Sequence, residues 1–186
     1  LEGGHYKGYT PFLDSLIQKS LYFDYSFANG RTSIDGMPSS LSSIPMFVEK
    51  FLLTPAALNS LTSVAGELHK KGYYTAFFHG AANGSMGFQA FSRSAGYQDY
   101  YGRTEYNNDE DFDGNWAIWD EEFLQFFANK MATFKQPFCT GIFTASSHHP
   151  YNIPERYKDV YKESSLPIHK CIRYSDHALQ RFFETA

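Results

Sequence analysis

Along these 186 residues, short apolar runs of strand length alternate with stripes of helical period, and that alternation limits the fold more than any other feature. Residues 73–79 and 137–145 are apolar enough to be buried strands, and residues 22–28 set Phe23, Tyr25 and Phe27 on one side in strict alternation. Helical signals fill the intervals. Thr10-Pro11 reads as an N-cap and first helical residue, with Phe12, Leu13, Leu16 and Ile17 on one face. Leu61, Val64, Ala65 and Leu68 give a helix stopped by Gly72, and residues 92–95 belong to a short helix closed by Gly96. Phe123, Leu124, Phe127 and Met131 mark the next helix; Ile168, Cys171, Ile172, Leu179, Phe182 and Phe183 mark the last. Strands separated by helices predict an α/β fold, a mainly parallel sheet flanked by helices. The length suits a single domain, and there is no internal repeat.

Composition narrows the function. A formal net charge of -4 leaves no general basic footprint, so nucleic acid is not the expected partner. The 14 Tyr and 18 Phe suit either an aromatic core or a carbohydrate-type cleft, and the core is the simpler reading. No apolar run approaches the roughly 20 residues that span a bilayer, and no signal peptide is visible. Cys139 and Cys171 form neither a metal-ligand spacing nor a disulfide framework and read as buried small apolar residues.

In open α/β sheets, ligands bind beyond the carboxyl ends of the strands. Three polar clusters fall at such ends: Arg31-Thr32-Ser33, His79-Gly80 with Asn83, and Ser147-His148-His149. Two adjacent hydroxyls at a strand–turn–helix junction can supply a nucleophile, and the first N–H groups of the following helix, expected over residues 39–44, can face an anion. That combination points to phosphate or sulfate ester chemistry, against the plainer reading of a helix cap. A separate signal is Asp109-x-Asp111-x-Asp113-Gly114 with Asp120 at the twelfth position, which matches the opening of a calcium-binding EF-hand loop. A non-catalytic carbohydrate- or calcium-binding domain is therefore the competing expectation.

Five elements in order resemble the sulfatase/alkaline phosphatase superfamily, closest to its lipoteichoic acid synthase branch of phosphoglycerol transferases. Residues 8–16 are similar to a "TPNLD" helix start, and residues 30–36 through Pro45 to the nucleophile segment. Residues 78–80 match a strand-end "FHG", residues 116–123 resemble "WGxxDExL", and residues 144–151 resemble "TxSNHxPY". The resemblance implies an alkaline phosphatase-like core. It implies that a Ser or Thr hydroxyl attacks phosphorus or sulfur while one divalent metal (Mn, Mg, Zn or Ca) lowers its pKa. Ungapped alignment from Gly36 and Pro45 selects Ser33 as nucleophile and metal ligand, and this is the favoured reading; the branch's "GKTS" pattern would instead select Thr32 for both roles. His148 fits the substrate-contacting histidine, and His79, Asn83 and Arg31 are further substrate-binding candidates.

Where the branch carries an Asp, a Trp and an Arg after "FHG", this chain has Ala81, Met86 and Phe88, with Asn83 the nearest polar substitute. Loss of that Arg removes a bidentate phosphate contact and points away from strict phosphoglycerol specificity. The family's other metal ligands, an acid after a first strand and a late Asp-His pair, have no counterpart; Asp176-His177 lies mid-helix and reads as solvent-facing. The expectation is one partial catalytic domain, residues 1–186, truncated at both ends and inactive alone. Open sheet edges would favour self-association. By resemblance, the parent is a membrane-anchored bacterial protein with this part outside the cytoplasm, acting on a phospholipid head group, a glycan or another phosphate or sulfate ester.

Overall fold

The computed structural model describes residues 8–162 and 164–186. They divide into two compact units, each assembled from separated stretches: a sheet unit (25–105 and 134–143) and a helical unit (8–24, 106–133 and 144–186). In chain order the elements are α1 (Pro11–Ile17), α2 (Ser33–Ser42), α3 (Val64–Lys70), β1 (Tyr74–His79), α4 (Phe88–Ser94), β2 (Asp99–Tyr101), α5 (Arg103–Tyr106), α6 (Asp120–Met131), β3 (Phe138–Phe143) and α7 (Ile168–Thr185).

In the sheet unit, β1 lies between β2 and β3, and both pairings are parallel. Phe77 stands opposite Tyr100 on one neighbour and Gly141 on the other. Five consecutive residues of β1, from Thr75 to His79, are buried, as expected for a parallel strand covered on both faces. Side chains alternate between those faces. Phe77 joins Met37, Ala65, Phe88, Phe91, Ala95, Tyr97 and Tyr100 in one cluster. Phe78 turns the other way and stacks on Tyr101 at 4.6 Å, with Phe134 beyond at 6.3 Å. Full burial of an aromatic such as Phe78 or Phe88 contributes about 2–3 kcal/mol. The parallel sheet flanked by helices agrees with the alternation in the sequence, although β2, only three residues long, leaves too short a run to be read there.

Residues 22–28 depart from expectation. They join no strand, and Tyr25 and Phe27 are each 88% exposed. Alternating aromatics fix a strand only when one face has something to cover it. The helix after them begins earlier than expected, at Ser33, so the hydroxyl turn is preceded by irregular chain instead of a strand tip. Cys171 is buried as expected, but Cys139 on β3 is only half-buried.

In the helical unit, α6 and α7 pack through Phe127 and Phe182, stacked at 5.3 Å, and Trp119 meets Tyr174 edge-on at 6.1 Å. α7 has two buried stripes. Cys171, Tyr174 and Ala178 form one; His169 and Asp176, seven residues apart, form the other. Asp176 is therefore not solvent-facing: it is 4% exposed and takes the Phe12 and Leu13 N–H groups at 2.9 Å on its two carboxylate oxygens. Thr10 stands at the N-cap of α1 as expected but makes no side-chain cap bond, and the carboxylate of Asp176 does that work from across the unit. His177 is half-buried, with Nε2 3.1 Å from the Tyr157 hydroxyl.

The sheet unit depends on one close approach. Ser63 caps α3 by accepting the Gly66 N–H at 2.9 Å, and its own hydroxyl donates to the Ala95 carbonyl at the end of α4. Gly96 closes α4 at φ +84, and a Cβ there would lie 2.4 Å from Gly66 Cα. Backbone strain and collision act together. Gly96→Ala is expected to destabilise the chain by about 2–4 kcal/mol, read as a lower urea midpoint with an unchanged slope.

Candidate functional site

Gly30 turns the chain with φ +117 and delivers Thr32 in extended conformation to the N-cap of α2. Ser33 is the first helical residue and half-buried, while Thr32 and Arg31 are exposed. The Asp35 and Gly36 N–H groups close onto the Thr32 carbonyl at 3.0 and 3.2 Å. Those of Ser33 and Ile34 have no acceptor within the helix, as at any helix start. The Thr32 hydroxyl does not cap the backbone; it donates to Asp35 Oδ2 at 2.7 Å. Lys50 Nζ meets the same oxygen at 2.5 Å. The Lys50 ammonium, and then the Thr32 hydroxyl, hold the buried Asp35 carboxyl below the usual carboxylate range. Neither Asp35 nor Lys50 was singled out from the sequence. The signal for Asp35 was present in the Thr-x-x-Asp spacing of a capping box; Lys50, fifteen residues further on, gave none.

His79 ends β1 but is 1% exposed, with its ring 5.1 Å from Phe88 and 5.2 Å from Phe143 and Nδ1 3.2 Å from the Tyr100 hydroxyl. It packs as a core residue, because its side chain shares the Phe77 face of the strand. Burial pushes its pKa down to about 4, so the ring is neutral at physiological pH. Asn83 is also committed elsewhere. Its amide donates to both oxygens of Glu105 at 3.1 and 3.0 Å and its carbonyl accepts the Thr104 N–H at 3.3 Å, tying the loop after β1 to the start of α5.

In the helical unit, His148 is exposed and its ring lies 4.4 Å from that of Trp116. His148 Nδ1–H donates to the His149 carbonyl at 3.1 Å, and Trp116 Nε1–H donates to the same oxygen. The neutral imidazole then offers Nε2 as an acceptor, and its protonated form offers a donor. Trp116 was known from the sequence only as part of a motif; its place as a wall of the His148 loop emerges in three dimensions.

In the acidic segment, the carboxylates of Asp111 and Asp113 are taken up by donors of the chain itself. Asp113 Oδ1 collects the N–H groups of Asn115 and Trp116 at 2.7 Å and of Ala117 at 3.2 Å. Asp111 takes the Tyr106 hydroxyl and the Asn108 amide, and Asp109 lies in a short 3-10 turn. Asp120 is buried at the start of α6, where Oδ1 accepts the Ala145 and Ser146 N–H groups at 2.9 and 3.1 Å and Oδ2 accepts the Ser175 hydroxyl at 3.1 Å. Among the described residues, no group of three or more His, Cys, Asp or Glu converges to hold a metal. Thr32 and Ser33 offer two hydroxyl oxygens, and the carboxylate beside them already holds an ammonium, so these residues do not by themselves fit a divalent cation.

The parallel sheet flanked by helices is a fold shared with solved members of the alkaline phosphatase superfamily. The alkaline phosphatase superfamily protein of Vibrio parahaemolyticus superposes with a TM-score of 0.82 at 26% identity over 95% of this chain and 44% of that one. The sulfatase family model matches residues 2–186, and the chain belongs to that family. The lipoteichoic acid synthase-like YvgJ of Bacillus subtilis is 25% identical over 96% of this chain and 30% of its own length. This chain thus spans about a third or less of that relative. The lipoteichoic acid synthase LtaP of Listeria monocytogenes shares the fold at a TM-score of 0.80 and 22% identity, covering 95% of this chain and 45% of that one. The periplasmic domain of Escherichia coli EptC in complex with Zn shares it at 0.66 and 16%, over 98% of this chain and 54% of that one. Among the described residues, no helix is long and apolar enough to cross a membrane.

His79 makes stability depend on pH. Its folded pKa of about 4 lies below the unfolded value of 6.5, so the unfolded chain binds the extra proton between them and stability falls as pH drops through that window. At about 1.4 kcal/mol per pKa unit the loss approaches 3 kcal/mol by pH 4. In urea titrations at pH 7 and pH 4, His79→Phe is expected to lose about that much less than the parent chain; parallel losses would refute the assignment.

Proposed function

We propose that this chain is the nucleophile-bearing part of a sulfatase-family transferase or hydrolase acting on phosphate or sulfate esters. Phosphoglycerol- or phosphoethanolamine-type transfer to an envelope lipid or glycan is the form favoured by its lipoteichoic acid synthase relatives. The observation that carries the reading is the exposed, oriented hydroxyl of Thr32 at the start of α2. Two features favour Thr32 over Ser33: its side chain stands at the N-cap, clear of the helix, and its hydroxyl has a fixed acceptor. In the proposed reaction, Thr32 Oγ1 bonds to the phosphorus or sulfur centre. The bond from that centre to the departing alkoxyl oxygen breaks with its electron pair, and the proton lost by Oγ1 ends on that oxygen. An acceptor hydroxyl, or water, then reverses the sequence. Arg31 and the Ser33 and Ile34 N–H groups are donors suited to the anionic group.

A divalent cation at the Thr32–Ser33 turn, whether Mn, Mg, Zn or Ca, would supply charge neutralisation there, with ligands that the described residues do not provide. The proposed setting is the outer face of a bacterial membrane, with the parent chain anchored. The exposed rings of Tyr25 and Phe27 favour self-association of the isolated chain.

In the natural full-length protein, Thr32→Ala is expected to lower turnover of a phosphodiester substrate by at least 1,000-fold, and Ser33→Ala by less than 30-fold. The opposite order would return the nucleophile to Ser33; retention of activity in both would remove the nucleophile from this turn. The 186-residue chain alone is expected to show no metal-dependent release of p-nitrophenol from bis-p-nitrophenyl phosphate or p-nitrophenyl sulfate, and measurable release would contradict this.

A further inference from the structure

Three independent details concentrate on Asp35. The carboxyl group sits at the third position of α2 and is 5% exposed. A single oxygen, Oδ2, receives both the Thr32 hydroxyl at 2.7 Å and the Lys50 ammonium at 2.5 Å. Beneath it, a Cβ at Gly30 would lie 2.4 Å from Asp35 Cβ, so the turn keeps a glycine at φ +117 where any side chain would push the acid out of place. A capping box sets the acid on the N-cap N–H and the N-cap hydroxyl on the N–H of the acid's own residue. It does not need a lysine brought in from fifteen residues away, nor the N-cap hydroxyl turned from the backbone onto a carboxylate.

We infer that Asp35 and Lys50 are positioning residues for the Thr32 hydroxyl, Asp35 by fixing its direction and Lys50 by holding Asp35 in place as an anion. This rests on the reading of Thr32 as nucleophile. A threonine hydroxyl has one proton. With that proton committed to Oδ2, the lone pairs of Oγ1 turn away from the carboxylate toward the open side of the turn. The rotor is thereby set before an ester arrives, which is the kind of preorganisation that lowers a barrier without adding a contact to the substrate. Lys50 shares the oxygen that takes the hydrogen bond, so Asp35 serves as an orienting acceptor and is poorly suited to storing the proton. Lys50 opens the turn Phe51–Leu53, whose Phe51 and Leu52 pack on the Phe77 cluster, so the ammonium is delivered by the core of the sheet unit.

The test compares Asp35→Ala, Lys50→Met and Lys50→Arg with Thr32→Ala in the natural full-length protein, using turnover of bis-p-nitrophenyl phosphate and thermal melting of each variant. Asp35→Ala and Lys50→Met are expected to lower kcat at least 10-fold with KM within twofold. Lys50→Arg, which restores a cation to Oδ2, should recover at least a third of the parent kcat. If Thr32→Ala abolishes turnover while Asp35→Ala and Lys50→Met stay within twofold of the parent, the positioning role is overturned and the nucleophile stands. Turnover that survives Thr32→Ala removes the nucleophile and this inference with it. Lys50 is about one-third exposed, so its substitutions remain informative even where Asp35→Ala does not fold. Equal kcat in Lys50→Met and Lys50→Arg, or a loss that tracks melting and raises KM in step, overturns the proposal.

Discussion

The central strand of the sheet unit has to satisfy its peptide groups with no help from water. Every residue of β1 from Thr75 to His79 is buried, so its N–H and C=O groups need partners inside the protein. β2 and β3 lie one on each side to provide them, and Gln98, just before β2, serves both peptide groups of Thr75. That need fixes the register, and the register fixes which aromatic rings meet: Phe78 opposite Tyr101 on one face, Phe77 over Tyr97 and Tyr100 on the other. The core cluster that includes Met37 of α2 is built on the second of these faces, so the hydroxyl turn at the head of that helix inherits its position from the strand pairing.

Carboxylates do comparable work at the ends of helices. Asp35 serves a hydroxyl and an ammonium, Asp176 takes two N–H groups at the start of α1, and Asp120 joins the start of α6 to the chain after β3. An unsatisfied buried carboxylate is costly, and each of these is multiply bonded. Acidic residues that suggest metal ligands in a one-dimensional reading are here satisfied by backbone and side-chain donors. Burial raises the pKa of Asp120, and its hydrogen bonds with Ala145, Ser146 and Ser175 oppose that shift.

How much was legible follows from what each signal depends on. The elements β1, β3, α6 and α7 were readable because their patterns are long or wholly apolar. Residues 22–28 misled because alternation reports a face without reporting whether anything covers it. Asp176 misled because a single apolar stripe on α7 hid the second one, visible only when α1 is known to start there. The sequence favours Ser33 over Thr32, yet nothing in a linear motif tells which of two adjacent hydroxyls stands free of a helix. His79 was placed correctly at a strand end, yet its burial depends on Phe88 and Phe143, which reach it from other elements. The Lys50–Asp35 pair lies beyond any local pattern, since it needs the chain to return after fifteen residues.

The chain passes between its two units four times, after residues 24, 105, 133 and 143. Neither unit is a contiguous segment. The third strand of the sheet comes from a ten-residue excursion, 134–143, set between stretches that belong to the helices. A ribosome releasing this chain from its N-terminus has already delivered α6 before the sheet can complete its pairing, so much of the polypeptide must wait, partly unburied, for that late insert. For the same reason recombination cannot exchange one half for a homologue's: any crossover that respects both cores must carry the two together.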